Sequence, residues 1–571
     1  MTRIRNEMQA VFSMVIIAAS IAAPIALFQN CTTSFRLADS ASTATAGNVT
    51  DGISGKTCGD NYSPGHSTIH RLTNIEYNNT VRDLVYTSST PADSFPPPVA
   101  GISGYTNDST ALQISDPLVQ KYYSAAQSLA AEVIASKGTS GGAYARISPC
   151  GIKISSATPS STSASCAQST IQSFATRGYR RPITDAELSS LSAIFNMGST
   201  FDQGLANLIT AVLISPKFLF VSITGSFSAS AGVPFAIDDY QLASRLSYFL
   251  WQSMPDDQLM QLASAGQLNS DATLGQQVQR MLLDSKSQSF RLMLRDEWLS
   301  LATIALPVTN LDDSIRQSMI TEADMFLQDL IQSNHSFVNL FSANYSFMNK
   351  ALADYYGLGF TGSDPTQFQK VSYNDQRLGV LSQGGFLTAT GGLAAEASIV
   401  RRGKALASAV FCTPPAPPPK PPPDLNNDPT LTGNPRQRLV AATANSPCIG
   451  CHMTLNNLGF GLLNFSSFGQ YRTTYTTFQD TIDSSGSLPG VVTFSNGMDM
   501  LRQLPTLEQV QACFPQQLMN IATTRAATSV DDRCVQRNIG AVTSTAASTF
   551  SDVISSIVLS RQFRMQTGEG Q

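Results

Sequence analysis

Apolar positions recur at helical spacing through most of this chain. In "IHRLTNIEYNNTVRDLVY", Ile69, Leu72, Ile75, Val81, Leu84 and Val85 fall near the spacing of one helix face. Thr73 stands as an N-cap with Glu76 three residues on, the pattern of a capping box. "DPLVQKYYSAAQSLAAEVIAS" predicts a second amphipathic helix with Pro117 in its first turn. Residues 137–165, rich in Gly and Ser, read as a loop. In "TIQSFATRGYRRPITDAELSSLSAIF", Pro182 ends one helix and Thr184 caps the next, and "FDQGLANLITAVLISPKFLF" is a further helix ending before Pro216. Tyr240, Leu242, Ala243, Leu246, Phe249 and Leu250 line the apolar face of a central helix, after which Pro255 begins a new turn. Helical patterns continue to "VISSIVLSRQFRM", while strand-like alternation is short, as in "GVVTF". The expected fold class is mainly α, in several helical modules.

Length divides this pattern. A chain of 571 residues exceeds one hydrophobic core and predicts about three or four domains. "CTPPAPPPKPPPD", Cys412 to Asp424, is the clearest boundary, since such a run adopts extended polyproline II and acts as a stiff spacer. The expected organisation is a signal peptide at 1–30, a flexible tether at 31–56, and helical modules at 57–136, 166–225 and 234–360. A module at 370–412 precedes the linker at 413–430. A "CIGCH" region at 431–475 and a C-terminal helical module at 480–566 follow.

Composition changes the picture in one respect. Charged residues are 13% of the chain and the net charge is −4, against roughly 25% charged in ordinary soluble domains. That composition leans toward an exported protein and carries no basic footprint for nucleic acid. Arg3 and Arg5 precede "VFSMVIIAASIAAPIALF", the basic start and apolar run of a secretory signal. Cys31 closes that run ahead of a small, polar tether, an order that resembles a bacterial lipoprotein, although Gln29 and Asn30 stand where small residues are usual. Lipidation of Cys31 would hold the chain at a membrane surface, in the periplasm or at the outer membrane.

Nine cysteines are present. Setting aside Cys31 and the pair Cys448 and Cys451 leaves Cys58, Cys150, Cys166, Cys412, Cys513 and Cys534. An even remainder in an oxidising compartment reads as disulfides. Sequence proximity favours Cys150–Cys166 and Cys513–Cys534, with Cys58–Cys412 by elimination.

The candidate chemistry sits in "PCIGCHMTLNNLGF", Pro447 to Phe460. Cysteines at i and i+3 on a helical turn face one side, so both sulfurs reach one porphyrin, and the next histidine turns its imidazole onto the iron. Cys448, Cys451 and His452 fit this C-x-x-C-H pattern of one covalent haem c. A zinc site, a redox dithiol and a chance match are the alternatives. Zinc needs four ligands, and the sequence has no second pair and only four histidines. Met498 and Met500, downstream in "FSNGMDMLRQL", are candidate distal iron ligands. Asp238, Asp239, Asp256 and Asp257 read as charges offsetting helix N-termini, not as catalytic carboxylates.

Several segments together resemble a large, exported bacterial family described in planctomycetes and myxobacteria, built from the domain of unknown function 1592 and companion modules. "RLTNIEYNNTVRDLV", "FATRGYRRPITDAEL", "DDYQLASRLSYFLWQSMPDDQL", "VRRGKALASAVFCTPPAPPP" with "CIGCHMTLNNLGFGLLNFSSFGQYR", and "CFPQQLMNIATTR" resemble its modules in collinear order. The resemblance implies a cytochrome c-like region with Cys448, Cys451 and His452 as the haem attachment site. The family commonly reads C-H-x-x-M-D-P-x-G-F, whereas Leu455, Asn456 and Asn457 stand here at the Met, Asp and Pro positions. The expected function is electron transfer or haem-dependent oxidation of an unknown substrate at the cell envelope, with an unknown redox partner. The alternative is a surface scaffold lipoprotein, its haem structural or absent, with a polymer or protein ligand.

Overall fold

Helix α1 (Asn74–Val85) begins where Thr73 accepts the Glu76 amide and Glu76 accepts the Thr73 amide in return. In this computed structural model the described residues run from 63 to 567, apart from 65–68, 155–160, 222–232, 393, 395, 417–429, 446, 447, 528 and 546. The expected signal, tether, Cys31 and Cys58 lie outside them, as does most of the Pro-rich linker.

The structure is mainly helical. Helices α2 (Asp116–Ala135), α3 (Ser161–Tyr179), α4 (Asp185–Phe195) and α5 (Phe201–Leu213) join α1 around an N-terminal core that includes Tyr77, Leu84, Leu129, Phe174 and Leu208. Two expected modules therefore share this core. Strand β1 (His70–Arg71) pairs antiparallel with β2 (Phe220–Val221), joining the start of the first module to the end of the second. Ile69 and Ile75 are 57% and 51% exposed, so the apolar face of α1 differs from the one expected. The α1 stripe runs through Tyr77, Val81, Leu84 and Val85, the i, i+4, i+7, i+8 set that the α-helical period selects.

Helix α6 (Asp239–Trp251) links this core to the next. Asp238 caps α6 by accepting the Gln241 amide, and Asp256 caps α7 (Asp257–Ser264) by accepting the Leu259 amide. Tyr248 of α6 packs in the N-terminal core, while Leu242, Leu246 and Leu250 belong to the larger one. That larger core continues through α8 (Asp271–Leu283), α9 (Asp313–Gln332) and α10 (Ile399–Ala409). Helix α11 (Pro435–Thr443) packs in a small separate cluster through Leu439, and α12 (Ile449–Phe460) returns to the larger core. The larger core closes with α13 (Glu508–Thr523), α14 (Val530–Thr543) and α15 (Phe550–Val558). Leu246, Phe326, Leu406, Leu458, Phe514 and Ile554 are members of this one cluster. Strand β3 (Pro234–Ala236) pairs with the strand Met565–Thr567, bringing the far end of the chain back to the start of α6. Among the described residues no helix is long and apolar enough to cross a membrane.

The disulfides depart from sequence proximity. Cys150–Cys166 forms as expected, while the stretch expected as loop holds a short helix, Ala143–Ile147, before the bridge, and its last residues begin α3. Cys412, however, bonds Cys513 across 101 residues, so neither Cys513–Cys534 nor Cys58–Cys412 exists. The reason is tertiary. Cys412 follows α10, and α10 packs beside α13, which carries Cys513. Cys534, on α14, is disulfide-bonded as well.

Candidate haem-attachment site

The motif helix α12 is seated by glycine. A Cβ on Gly403 of α10 would collide with the Leu455 carbonyl, and one on Gly459 of α12 would collide with the Ile399 carbonyl. α10, before the Pro-rich stretch, and α12, the second helix after it, therefore meet backbone to backbone, a distance only glycine permits. Ile399, Leu439 and Phe460 then share a small core that gathers α10, α11 and α12.

Two arginines complete the seat. Arg402, 1% exposed, donates to the carbonyls of Leu462 (2.9 Å), Phe465 (2.6 Å), Ser466 (2.6 Å) and Leu387 (3.2 Å). It satisfies chain carbonyls just past the end of α12, where helical partners run out. Burial and the nearby Arg472 pull its pKa down to about 9. Arg436 of α11 lies 3.9 Å from the Phe460 ring centroid and donates to Ser485 O at 2.7 Å.

Cys448 is the N-cap of α12, and its amide and that of Ile449 bond back to Asn445 O at 3.0 and 3.1 Å. Cys448 and Cys451 are thiols, not a disulfide, and both are partly exposed. One turn places them about 4.5 Å apart along the axis, and His452 follows directly.

The imidazole of His452 is held from behind. Its Nδ1 lies 2.9 Å from Asn456 Oδ1, the Asn456 amide donates to Thr443 Oγ1 at 2.9 Å, and Thr443 donates to Leu439 O at 2.8 Å. The direction of this chain is fixed. Thr443 uses its hydrogen on Leu439, so it accepts from Asn456, and Asn456 presents oxygen to the histidine. Nδ1 then carries the proton and Nε2 keeps its lone pair for a metal. Asn456 and Thr443 are 6% and 5% exposed, so water does not compete for either bond.

The surroundings fit a porphyrin. Ile449 and Met453, next in the chain to Cys448 and His452, are 48% and 50% exposed, and Val440 on α11 is 49% exposed, apolar side chains of the kind a macrocycle would cover. Among the described residues nothing lies within 4 Å of where a Gly450 Cβ would be. Zinc fits less well: among the described residues, no group of three or more His, Cys, Asp or Glu gathers to hold a metal ion.

Met498 and Met500 are not brought to this site. Both are buried in the larger core, and Met500 packs against Gly461, just past the far end of α12. That is about 13 Å along the helix axis from His452. His70 pairs with Glu76 at 2.7 Å and His335 with Asp329 at 3.2 Å. Sequence reading missed Asn456, Thr443, Arg402 and the Gly403–Gly459 contact. Gly403 within "RRGKA" and Gly459 within "LGF" were the available signals.

Four family models match the chain in order. A protein of unknown function (DUF1587), PSD3, matches residues 70–135, and one (DUF1595), PSD5, matches 166–222. One (DUF1592), PSD4, matches 237–358, and one (DUF1588), PSCyt3, matches 377–475, the span that includes the motif. No curated protein and no solved structure matches the chain. Through these four matched domains of unknown function, the chain belongs to a multi-module family.

Proposed function

We propose that this protein is an exported c-type haem protein. It carries one covalent haem at Cys448, Cys451 and His452 and serves in electron transfer or haem-dependent oxidation at the cell envelope. The observation that carries this reading is the Thr443–Asn456–His452 chain, which presents Nε2 as a ligand beside two thiols one turn apart. The matching module's short name, PSCyt3, points the same way.

Each residue has a part. Cys448 and Cys451 would bond the vinyl groups, and His452 Nε2 would ligate the iron. Val440, Ile449 and Met453 would lie against the ring and shed water from it. When bound, the haem supplies one-electron chemistry whose potential depends on its axial ligands and their hydrogen bonds. Lipidation at Cys31 would keep the protein at the membrane surface, facing an unknown redox partner. The helical modules would form a platform for a partner or polymer.

The ligand assignment is tested with His452→Ala. Expressed with c-type maturation, the variant should lose the Soret absorbance of the wild type. An unchanged spectrum would remove His452 from the iron.

A further inference from the structure

A second recessed site lies where the N-terminal modules meet the C-terminal region. It is a cavity of about 50 Å³ walled by His70, Glu76 and Asn107, by Arg245 and Phe249 of α6, and by Ile521 of α13. None of these residues belongs to the haem motif. Buried junctions between modules are common places for small-ligand sites.

The polar atoms of this cavity are unevenly matched. Glu76 accepts from His70 Nε2 at 2.7 Å and from the Thr73 amide at 2.8 Å. A carboxylate oxygen accepts, so Nε2 donates here, and in the neutral ring His70 Nδ1 is then the acceptor. Asn107 Nδ2 donates to Ile521 O at 2.9 Å, which fixes the amide and leaves Oδ1 as the other acceptor. His70 and Asn107 are 4% and 3% exposed, and among the described residues neither His70 Nδ1 nor Asn107 Oδ1 has a hydrogen-bond partner. Buried acceptors without donors are rare in folded proteins.

The missing element is therefore a ligand that brings hydrogens. Glu76 is engaged by His70, and Arg245 donates to the carbonyls of Gln562 (3.4 Å) and Phe563 (2.7 Å), so neither charge is turned to an ion. Phe249 and Ile521 offer carbon surface. The volume suits on the order of four waters' worth of atoms, too little for a polymer. We propose that this cavity binds a small uncharged polyol, with one hydroxyl donating to His70 Nδ1 and another to Asn107 Oδ1.

The test uses ethylene glycol as the probe, titrated into the full haem-loaded protein with ¹⁵N-labelled histidine. His70→Gln assigns the His70 signal and keeps an N–H donor toward Glu76. A saturable shift of the His70 Nδ1 resonance is expected. Asn107→Leu should weaken the affinity by about tenfold, the loss of one buried hydrogen bond. Asn107→Ser replaces it if the leucine variant does not fold. A shift that never saturates, or equal affinity in the Asn107 variant, would mean the cavity holds water only and would overturn the proposal.

Discussion

Asn456 Oδ1 lies 2.9 Å from His452 Nδ1, and the Asn456 amide is in turn occupied by Thr443. A neutral amide thus stands behind the proposed iron ligand, where the family pattern commonly has aspartate. A carboxylate there would draw the Nδ1 proton, make Nε2 more basic and stabilise the oxidised iron. Asn456→Asp should therefore lower the midpoint potential in spectroelectrochemical titration. Asn456→Leu removes the acceptor behind Nδ1 and should also shift the potential. A potential unmoved by either change would remove Asn456 from any tuning role.

The Gly403–Gly459 crossing sets a steric prediction. Gly403→Ala must move α10 off α12, and overpacking of this kind costs about 1–3 kcal/mol. Gly450→Ala meets open space among the described residues and removes backbone freedom in the first turn of α12, so it should stabilise by about 0.4–1 kcal/mol. Urea unfolding of the two variants beside the wild type should move the midpoints in opposite directions.

The Cys412–Cys513 bridge closes 101 residues, a span that includes the Pro-rich stretch and the motif helix. Chain-entropy reasoning gives such a loop about 4–5 kcal/mol of stabilisation. Cys412→Ser paired with Cys513→Ser should lower Tm markedly. The same change at Cys150 and Cys166, which are 16 residues apart, should cost about 3 kcal/mol. Equal losses in the two variants would show that loop length is not what matters here.

Two glutamates bend the stability curve in opposite directions. Glu322 is fully buried, and desolvation pushes its pKa up to about 7 despite hydrogen bonds from Tyr356 (2.7 Å) and Tyr373 (3.2 Å). Its folded form holds the proton more tightly than its unfolded form, whose pKa is 4.5. Its contribution is therefore full below about pH 4.5 and is lost as pH rises toward 7. Glu187 is the reverse. Hydrogen bonds from Arg181, helped by Lys217 and the Thr184 amide, hold it well below the usual range. Its contribution is present above pH 4.5 and is lost as pH falls further. Glu322→Gln should flatten Tm between about pH 4.5 and 7, and Glu187→Gln should flatten only the acid limb. The opposite assignment of limbs would contradict this account.

What was legible in the sequence was local. Thr73, Thr184, Asp238 and Asp256 cap helices because each acts on an amide two or three residues away. Cys150 and Cys166 find each other across a short loop. The disulfide at Cys412 depends instead on α10 docking against α13, which no spacing announces. Met498 and Met500 stood at plausible sequence distances, yet the larger core claims both. The Pro-rich run marked a boundary in composition, but Gly403 before it and Gly459 after it bring α10 and α12 into contact. The C-x-x-C-H motif was visible at once. Its support, Asn456 and Thr443, was hidden because one residue lies on the motif helix and the other on the helix before it.

The most direct measurement is a pyridine haemochrome spectrum of the exported protein, produced with c-type maturation, denatured and washed with acid acetone. Covalent attachment at Cys448 and Cys451 predicts a c-type spectrum that survives the wash in the wild type and is lost in the Cys448→Ser, Cys451→Ser double variant. A washed wild-type protein without haem would contradict the account and leave the motif a dithiol on a surface scaffold.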